Sequence, residues 1–236
     1  MKYFEVIKGL IPQIEQEQEN MKKAGHIFAE TIINGGIIQA FGSGHSYAGA
    51  IEIAGRAGGL LPVKAIYEET FGRYERIEGV GSEFAKYWDL RENDCIVIIS
   101  NSGRNPFIIE LALFAKSKNV PLIAVTSLEV SKKTPSRHSS GKRLFELADV
   151  VLDNHSIEGD AAVQIEGLRT KVGGTSSIAA ALLLNQTVVF AIEEMIARGF
   201  EPPVLLSANI DGGPEYNEKL MEKYKETVGY RILLRK

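Results

Sequence analysis

Two short segments rich in glycine and serine, each directly after an apolar run, have the composition of anion-binding loops. The first loop is Gly42-Ser43-Gly44-His45-Ser46, and the second loop is Ser100-Asn101-Ser102-Gly103-Arg104-Asn105. Glycines allow a tight turn that brings backbone N–H groups close to a ligand, and serine hydroxyls add donors. A helix after such a loop points its positive end at the same place, which favours an anion by about 0.3–1 kcal/mol. One such loop is often only a turn, but two together can hold a phosphate.

Three familiar motifs, the dinucleotide fingerprint, the nucleophile elbow and the P-loop, match the first loop less well than a simple anion-binding loop does. A dinucleotide fingerprint needs a third glycine where Tyr47 stands, although Glu68 and Glu69 fall where a ribose-binding acid is expected. A nucleophile elbow over Gly44-His45-Ser46-Tyr47-Ala48 is one residue out of register and follows too few strands. A P-loop needs a Gly-Lys-Ser or Gly-Lys-Thr triplet, which the sequence lacks. A nucleotide-binding enzyme therefore stays open as a remote alternative.

Apolar runs of strand length alternate with segments of helical period around these loops. Strands are predicted at 37–41, 62–67, 95–99, 120–125 and 148–152. Helices are predicted over the first 33 residues, where Pro12 kinks the segment or starts a second helix, and at 47–57, 106–114, 175–198 and 214–228. Residues 68–92 have no clear assignment.

Alternating strands and helices predict an α/β fold, a three-layer α/β/α sandwich on a five-stranded parallel sheet with flavodoxin-like winding. Ligands bind such sheets at the carboxyl ends of the strands, which is where both loops lie. We expect one domain over 1–236, with an N-terminal helical segment (1–34), an α/β core (36–199) and a C-terminal helical extension (200–236).

Composition excludes several classes of protein. The net charge is −3 and the basic residues are scattered, which predicts no nucleic-acid partner. Cys95 is the only cysteine and lies in an apolar run, so we expect a buried, unreactive thiol. The four histidines are dispersed without ligand spacing, so no metal and no cofactor are predicted. The N-terminus lacks a signal-peptide core and the run 178–192 is too short and polar for a membrane span, which predicts a cytoplasmic protein.

The second loop resembles the Ser-x-Ser-Gly-x-Thr phosphate loop of the SIS (sugar isomerase) domain family, in stand-alone members such as phosphoheptose isomerase-like proteins. The first loop is similar to that family's first glycine loop, and the likeness extends over about 37–192. It implies that Ser100 and Ser102 hold a sugar phosphate with backbone N–H groups, while Ser43 and Ser46 line the sugar. The serine- and threonine-rich start of a late helix, Thr175-Ser176-Ser177, is similar to a ligand-facing element of the family. Asn105 replaces the usual threonine hydroxyl, which either loosens phosphate binding or leaves Asn105 only as a helix cap.

The resemblance implies aldose–ketose isomerisation of a phosphorylated sugar, which needs a general base. Three residues are candidates: Glu52, six residues beyond Ser46 in the predicted helix; His45 in the first loop; and Glu166, upstream of the Thr-Ser-Ser element. Glu52 has an alternative interpretation as an ion-pair partner of Arg56.

The late-helix histidine of phosphoheptose isomerases has no counterpart in 178–198, which argues against heptose isomerisation itself. A non-catalytic phosphosugar sensor remains the alternative function. Family sensors usually carry a DNA-binding domain, and the N-terminal segment offers no helix-turn-helix. The resemblance also implies a homo-oligomer, a dimer or tetramer, with sites near the subunit interface.

Overall fold

The computed structural model describes residues 1–233, and the chain begins with two helices that precede the sheet. Helix α1 is Lys2–Glu15 and helix α2 is Gln18–Ile33. A second helix does not start at Pro12, because α1 continues through Pro12 and the break follows at residues 16–17. A proline without an N–H removes one internal helix bond, and the buried contacts of Leu10 and Ile14 hold the last turn in the core.

Five parallel strands form the central sheet, in the order β2-β1-β3-β4-β5. The strands are β1 Ile38–Gly42, β2 Val63–Ile66, β3 Cys95–Ile99, β4 Leu122–Thr126 and β5 Val150–Asp153. The chain moves from β1 outward to β2 and then crosses back to β3 on the other side of β1, in register from Ile38 opposite Cys95 to Gly42 opposite Ile99. The winding therefore reverses between β1 and β3, whose carboxyl ends carry the two loops.

The remaining elements surround this sheet. The helices are α3 Tyr47–Glu52, α4 Val80–Ala85, α5 Pro106–Ser117, α6 Leu128–Lys133, α7 Leu144–Leu147, α8 Ser176–Ala197, α9 Gly213–Lys223 and α10 Lys225–Leu233. A two-stranded antiparallel hairpin, β6 Ala161–Val163 and β7 Val172–Gly174, lies outside the main sheet and was not predicted.

Helices cover both faces of the sheet, which confirms the predicted three-layer fold. Along β3, Cys95, Val97 and Ile99 join the core under α1, α2, α3 and α8. Ile96 and Ile98 point the other way, into the core under α4, α5 and α7. Each large apolar side chain buried in these cores contributes about 1.5–3 kcal/mol.

Helix α3 is shorter than the predicted helix 47–57. It ends at Glu52, and the chain then turns to pair with a distant segment. The N–H of Gly58 donates to the carbonyl of Leu205 at 2.8 Å, and the N–H of Leu61 donates to that of Pro203 at 2.8 Å. Within the predicted helix, Gly55 has a φ of +63°, a left-handed conformation that an α-helix does not allow, so the helix ends before it.

Helix α8 corrects the expectation that its apolar run is too short for a membrane. The helix has 22 residues and is long and apolar enough to cross a bilayer by length and composition. One such helix is weak evidence, because core helices pass the same test. Buried residues of α8, among them Leu183, Leu184 and Ala191, pack in the core that also contains Phe28 of α2.

A buried polar network closes the amino ends of β1 and β3. Asp94 accepts hydrogen bonds from the N–H of Ile37 at 2.9 Å and from the side-chain amide of Gln39 at 2.8 Å. Arg231 of α10 is 3% exposed and donates to the same carboxylate at 3.0 Å. The Trp88 indole N–H donates to Gln39 Oε1 at 2.6 Å. This network connects the C-terminal helix to the sheet.

Candidate functional site

The first loop turns sharply at the carboxyl end of β1. A side chain on Gly42 would place its Cβ 2.3 Å from the carbonyl oxygen of Ser46, so only glycine fits there. The N–H of Ser46 donates to the carbonyl of Ser43 at 3.2 Å, and Gly44–Ser46 form one turn of 3₁₀-helix before α3. The loop therefore folds back on its own strand and presents its serines and His45 at the sheet edge.

The second loop is anchored to its neighbouring strands. The carbonyl of Asn101 accepts from the N–H of Ser127 and from Thr126 Oγ1, both at 3.0 Å. The N–H of Gly103 donates to Ser100 Oγ at 3.3 Å, and Gly103 has a φ of +56° that disfavours any other residue. These bonds fix the loop before α5 begins.

Asn105 precedes α5 but its side chain does not cap the helix. Its Oδ1 instead accepts a hydrogen bond from Arg137 Nη1 at 2.8 Å. Because the oxygen is used in this way, the side-chain NH₂ group of Asn105 remains as a donor. The substitution for threonine therefore replaces a hydroxyl donor with an amide donor.

A cleft of about 410 Å³ lies between the two loops at the carboxyl edge of the sheet. The predicted site residues that line it are Ser43, Gly44, His45, Ser46, Ser100, Asn101, Ser102, Asn105 and Ser176. Gly42, Gly103, Thr175 and Ser177 adjoin lining residues in sequence without lining the cleft themselves. The structure thus brings the two loops and the start of α8 together.

The hydroxyl of Ser43 is buried in this cleft without a partner. Ser43 is 8% exposed, and its Oγ makes no hydrogen bond to any described residue. A buried unpaired hydroxyl costs about 1–3 kcal/mol, so native proteins usually pair such groups. The unpaired hydroxyl makes Ser43 a candidate ligand contact in the first loop.

Glu68 shapes the opposite wall of the cleft. Its carboxylate accepts from the N–H groups of Thr70 at 2.6 Å and Gly72 at 2.7 Å. The resulting turn brings Gly72 against the first loop, where a Cβ would lie 3.1 Å from Ser43 Oγ. Glu68 therefore holds the segment that closes over the loop, and a role for it in binding ribose, which the dinucleotide interpretation needs, finds no support.

The start of α8 already holds a carboxylate from the protein itself. Asp160 accepts from the N–H groups of Thr175 at 2.9 Å and Ser176 at 2.8 Å, and from Ser176 Oγ at 2.9 Å. Asp160 also lines the cleft. Sequence reasoning missed it, since no local signal links Asp160 to a helix that begins sixteen residues later.

The three candidates for the general base are placed differently. His45 lines the cleft, and its Nδ1 lies 3.2 Å from Ser177 Oγ. Glu52 ends α3 outside the lining, where it pairs with Arg56 and accepts from Asn185 Nδ2 at 2.9 Å. Glu166 is exposed in the turn of the β6–β7 hairpin. Of the three, only His45 reaches the cleft.

Two other histidines lie with carboxylates away from the cleft. His155 Nε2 is 3.4 Å from Glu17 Oε1. His26 lies with Glu30 and Glu194 so that their ligand atoms fall within 4.8 Å of one another, a grouping that sequence spacing did not suggest. Arg198 pairs with both of these carboxylates, and its guanidinium lowers the pKa of Glu30. This group is therefore an ion-pair network between α2 and α8.

Comparison with protein families and relatives agrees with this geometry. The sequence model of the SIS domain matches residues 2–127. A UPF0309 protein of Listeria monocytogenes is 52% identical over 96% of this chain and 97% of its own. A UPF0309 protein of Geobacillus thermodenitrificans is 42% identical over 96% of this chain and 95% of its own.

Solved structures show the same fold at low sequence identity. A phosphoheptose isomerase from Neisseria gonorrhoeae superposes with a TM-score of 0.51 at 18% identity, covering 80% of this chain and 95% of its own. A phosphoheptose isomerase from Francisella tularensis gives 0.51 at 16% identity, covering 82% of this chain and 100% of its own.

Proposed function

Because the chain belongs to the SIS domain family, we propose that it binds a phosphorylated sugar in the cleft and interconverts the sugar's aldose and ketose forms in the cytoplasm. The observation that carries this proposal is the cleft itself. Two glycine-serine loops meet there at the reversal point of a parallel sheet, and the buried Ser43 hydroxyl has no protein partner. Ligands of such sheets bind at this point.

The second loop supplies the phosphate-binding groups. Ser100 and Ser102 offer hydroxyls, Asn105 offers its side-chain NH₂, and α5 points its positive end at the loop. The phosphate then holds one end of the sugar, while Ser43 and Ser46 contact its hydroxyls. Glu52 and Glu166 lie outside this arrangement.

Aldose–ketose interconversion moves two protons. A base removes the proton from C2 as the C1 carbonyl becomes a hydroxyl, which gives an enediol. Returning a proton to C1 while the C2 hydroxyl loses its own completes the ketose. His45 and Glu75 line the cleft and are suited to these transfers, because the oxygens of Asp160 are already bonded to α8. We assign His45 to the sugar oxygens and Glu75 to the carbons.

Solvent exchange tests this assignment. An enediol mechanism in D₂O incorporates deuterium at C2 of an aldose phosphate or at C1 of a ketose phosphate, which proton NMR detects across a panel of both. We expect His45→Gln to lower turnover by about 10²–10⁴-fold. His26→Gln on the surface of α2 is the matched control and should retain full activity. Full turnover in His45→Gln would remove His45 from the mechanism.

A phosphosugar sensor without catalysis is the second candidate function. It is favoured by the position of Glu52 and Glu166, the predicted bases, outside the cleft. A sensor would bind a sugar phosphate yet show no exchange at C1 or C2 for any sugar in the panel. The same NMR experiment therefore separates the two functions.

We also propose that the chain forms a homo-oligomer through α8. Leu182, Val189 and Ile196 are 37%, 44% and 61% exposed and are spaced seven residues apart, so they share one helix face. Exposed apolar side chains that share one helix face suit packing against another helix. Sedimentation at micromolar concentration should give a dimer or tetramer, and Val189→Glu should shift it toward monomer. A monomeric wild-type protein would contradict this.

A further inference from the structure

Three arginines gather beside the second loop. Arg104 belongs to the loop itself, and its carbonyl accepts from the N–H of Arg137 at 2.9 Å. Arg137 in turn donates to Asn105, which lines the cleft. Arg76 follows Glu75, another lining residue, whose carbonyl accepts from the N–H of Phe107 at the start of α5. The arginine cluster (Arg76, Arg104 and Arg137) therefore lies at the rim of the cleft.

These three charges have little compensation from the protein. Within residues 1–233, no carboxylate lies within 4.0 Å of a guanidinium of the cluster. The buried Nε–H of Arg104 has no hydrogen-bond partner there. Of the nearby acids, Glu78 bonds to Ser139 and Glu110 accepts from backbone N–H groups.

The arginines also act on one another. Partial burial lowers the pKa of Arg137, and the charges of Arg104 and Arg76 lower it further, while Glu75 opposes them. Positive charges held close together with one opposing acid create a field that attracts anions. Arginine is the side chain best suited to bind a carboxylate or phosphate through paired N–H donors.

We propose that the arginine cluster binds a second anionic group, a carboxylate or a phosphate, on the same sugar whose first phosphate occupies the second loop. This rests on the proposed function, since it assumes a sugar phosphate in the cleft. Asn105 lies three residues beyond Ser102 and contacts Arg137, so the cluster adjoins the second loop and one ligand can contact both. The substrate class is then a phosphosugar with two anionic groups.

Calorimetric titration with three probes at fixed ionic strength tests this inference. Glucose 6-phosphate has one anionic group, 6-phosphogluconate adds a carboxylate, and fructose 1,6-bisphosphate adds a second phosphate. We expect at least one of the two doubly anionic probes to bind about tenfold more tightly than glucose 6-phosphate. Which of the two is preferred identifies the second group.

Substitutions in the arginine cluster should weaken the binding of the three probes by unequal amounts. Arg76→Gln should weaken the preferred probe about tenfold more than it weakens glucose 6-phosphate. Arg137→Lys keeps the charge but not the paired donors, and should reduce the preference partly. The matched control is Arg73→Gln, an exposed arginine three residues earlier in the same segment, which should leave the preference unchanged.

Two results would overturn the inference. One is equal affinity of all three probes for the wild type, and the other is equal weakening of all three by Arg76→Gln, which would assign the cluster to the shared phosphate. If glucose 6-phosphate binds and Ser100→Ala/Ser102→Ala abolishes this binding, the proposed function stands although the second subsite fails. If no probe binds the wild type at millimolar concentration, both proposals are wrong.

Discussion

The two ends of the central strands treat buried polar groups in opposite ways. At the amino edge, formed by the starts of β1 and β3, Asp94 accepts hydrogen bonds from Ile37, Gln39 and the buried Arg231. At the carboxyl edge, where the two loops lie, Ser43 Oγ and Arg104 Nε are buried without a partner in the described part of the chain. A polar group that stabilises the fold has its hydrogen-bond partners within the protein. A group that binds a ligand keeps a hydrogen-bond donor or acceptor that no protein group uses.

The paired groups at the amino ends of the strands stabilise the fold, and we propose that the unpaired groups at the carboxyl ends bind a ligand. Removing one partner from a buried ion pair is costly, because it leaves the other charge unpaired. Removing an unpaired hydroxyl costs the free protein nothing and weakens only the bound state. Substitutions at the two edges should therefore have opposite consequences for unfolding and for binding.

The largest effect, on the free energy of unfolding, is expected at the amino edge. Asp94→Asn removes the buried carboxylate that pairs with Arg231 and leaves only the more exposed Asp89 as its counter-charge. It should lower the free energy of unfolding by about 3 kcal/mol. Urea unfolding measures this, with Asp211→Asn on the surface as the matched control, which should change it by less than about 0.5 kcal/mol. An unchanged midpoint for Asp94→Asn would mean that the network does not stabilise the fold.

A smaller effect, mainly on ligand binding, is expected at the second loop. Ser100→Ala and Ser102→Ala should each weaken a sugar phosphate by about 0.5–3 kcal/mol, because each removes one hydrogen bond to a charged group. Calorimetry measures the affinity and urea unfolding the stability. The stability should hardly change for Ser102→Ala, whereas Ser100→Ala also removes the acceptor of the Gly103 N–H and should cost about 0.5–1.5 kcal/mol. Ser117→Ala, an exposed serine at the end of α5, is the control. Unchanged affinity in the double variant, with the fold intact, would refute the assignment.

Ser43→Ala should stabilise the free protein and weaken its binding of a sugar phosphate. Loss of a buried unpaired hydroxyl should raise the free energy of unfolding by about 1 kcal/mol in the absence of ligand. The same change should weaken sugar-phosphate binding. A variant that is both less stable and unchanged in affinity would show that the hydroxyl serves the fold.

The smallest effect is expected at Cys95, at the amino end of β3. Burial raises the pKa of Cys95 to about 12, so the thiol remains protonated near neutral pH. Iodoacetamide at pH 8 should leave the native protein unmodified and alkylate it only after unfolding. Rapid alkylation of the native protein would mean that this end of the strand opens.

Local patterns in the sequence were sufficient for the strands and for both loops. The apolar run ending at Gly42 and the run ending at Ser100 each predict a buried strand, and the glycines and serines after them mark the edge where ligands bind. The β6–β7 hairpin was missed, because its strands have three residues each and one of them contains two glycines. Such short strands lack a detectable period.

The parts of the site that depend on distant contacts were not accessible from sequence. Asp160 reaches the start of α8, and Arg137 reaches Asn105 across 32 positions, without any local signal. Glu52 was chosen for its spacing from Ser46, but the early end of α3 and the pairing with Arg56 leave it outside the cleft. Long-range packing decides which polar side chains face a ligand.

Amide NMR during titration with glucose 6-phosphate tests the contrast between the two edges most directly. We expect the resonances of residues 42–46 and 100–105 to shift in a saturable manner, since we propose that these loops bind the ligand. The amides around Asp94 and Arg231 should stay where they are, because that network is already complete. Saturable shifts at the amino edge with none in the two loops would contradict the assignment of ligand binding to the carboxyl edge.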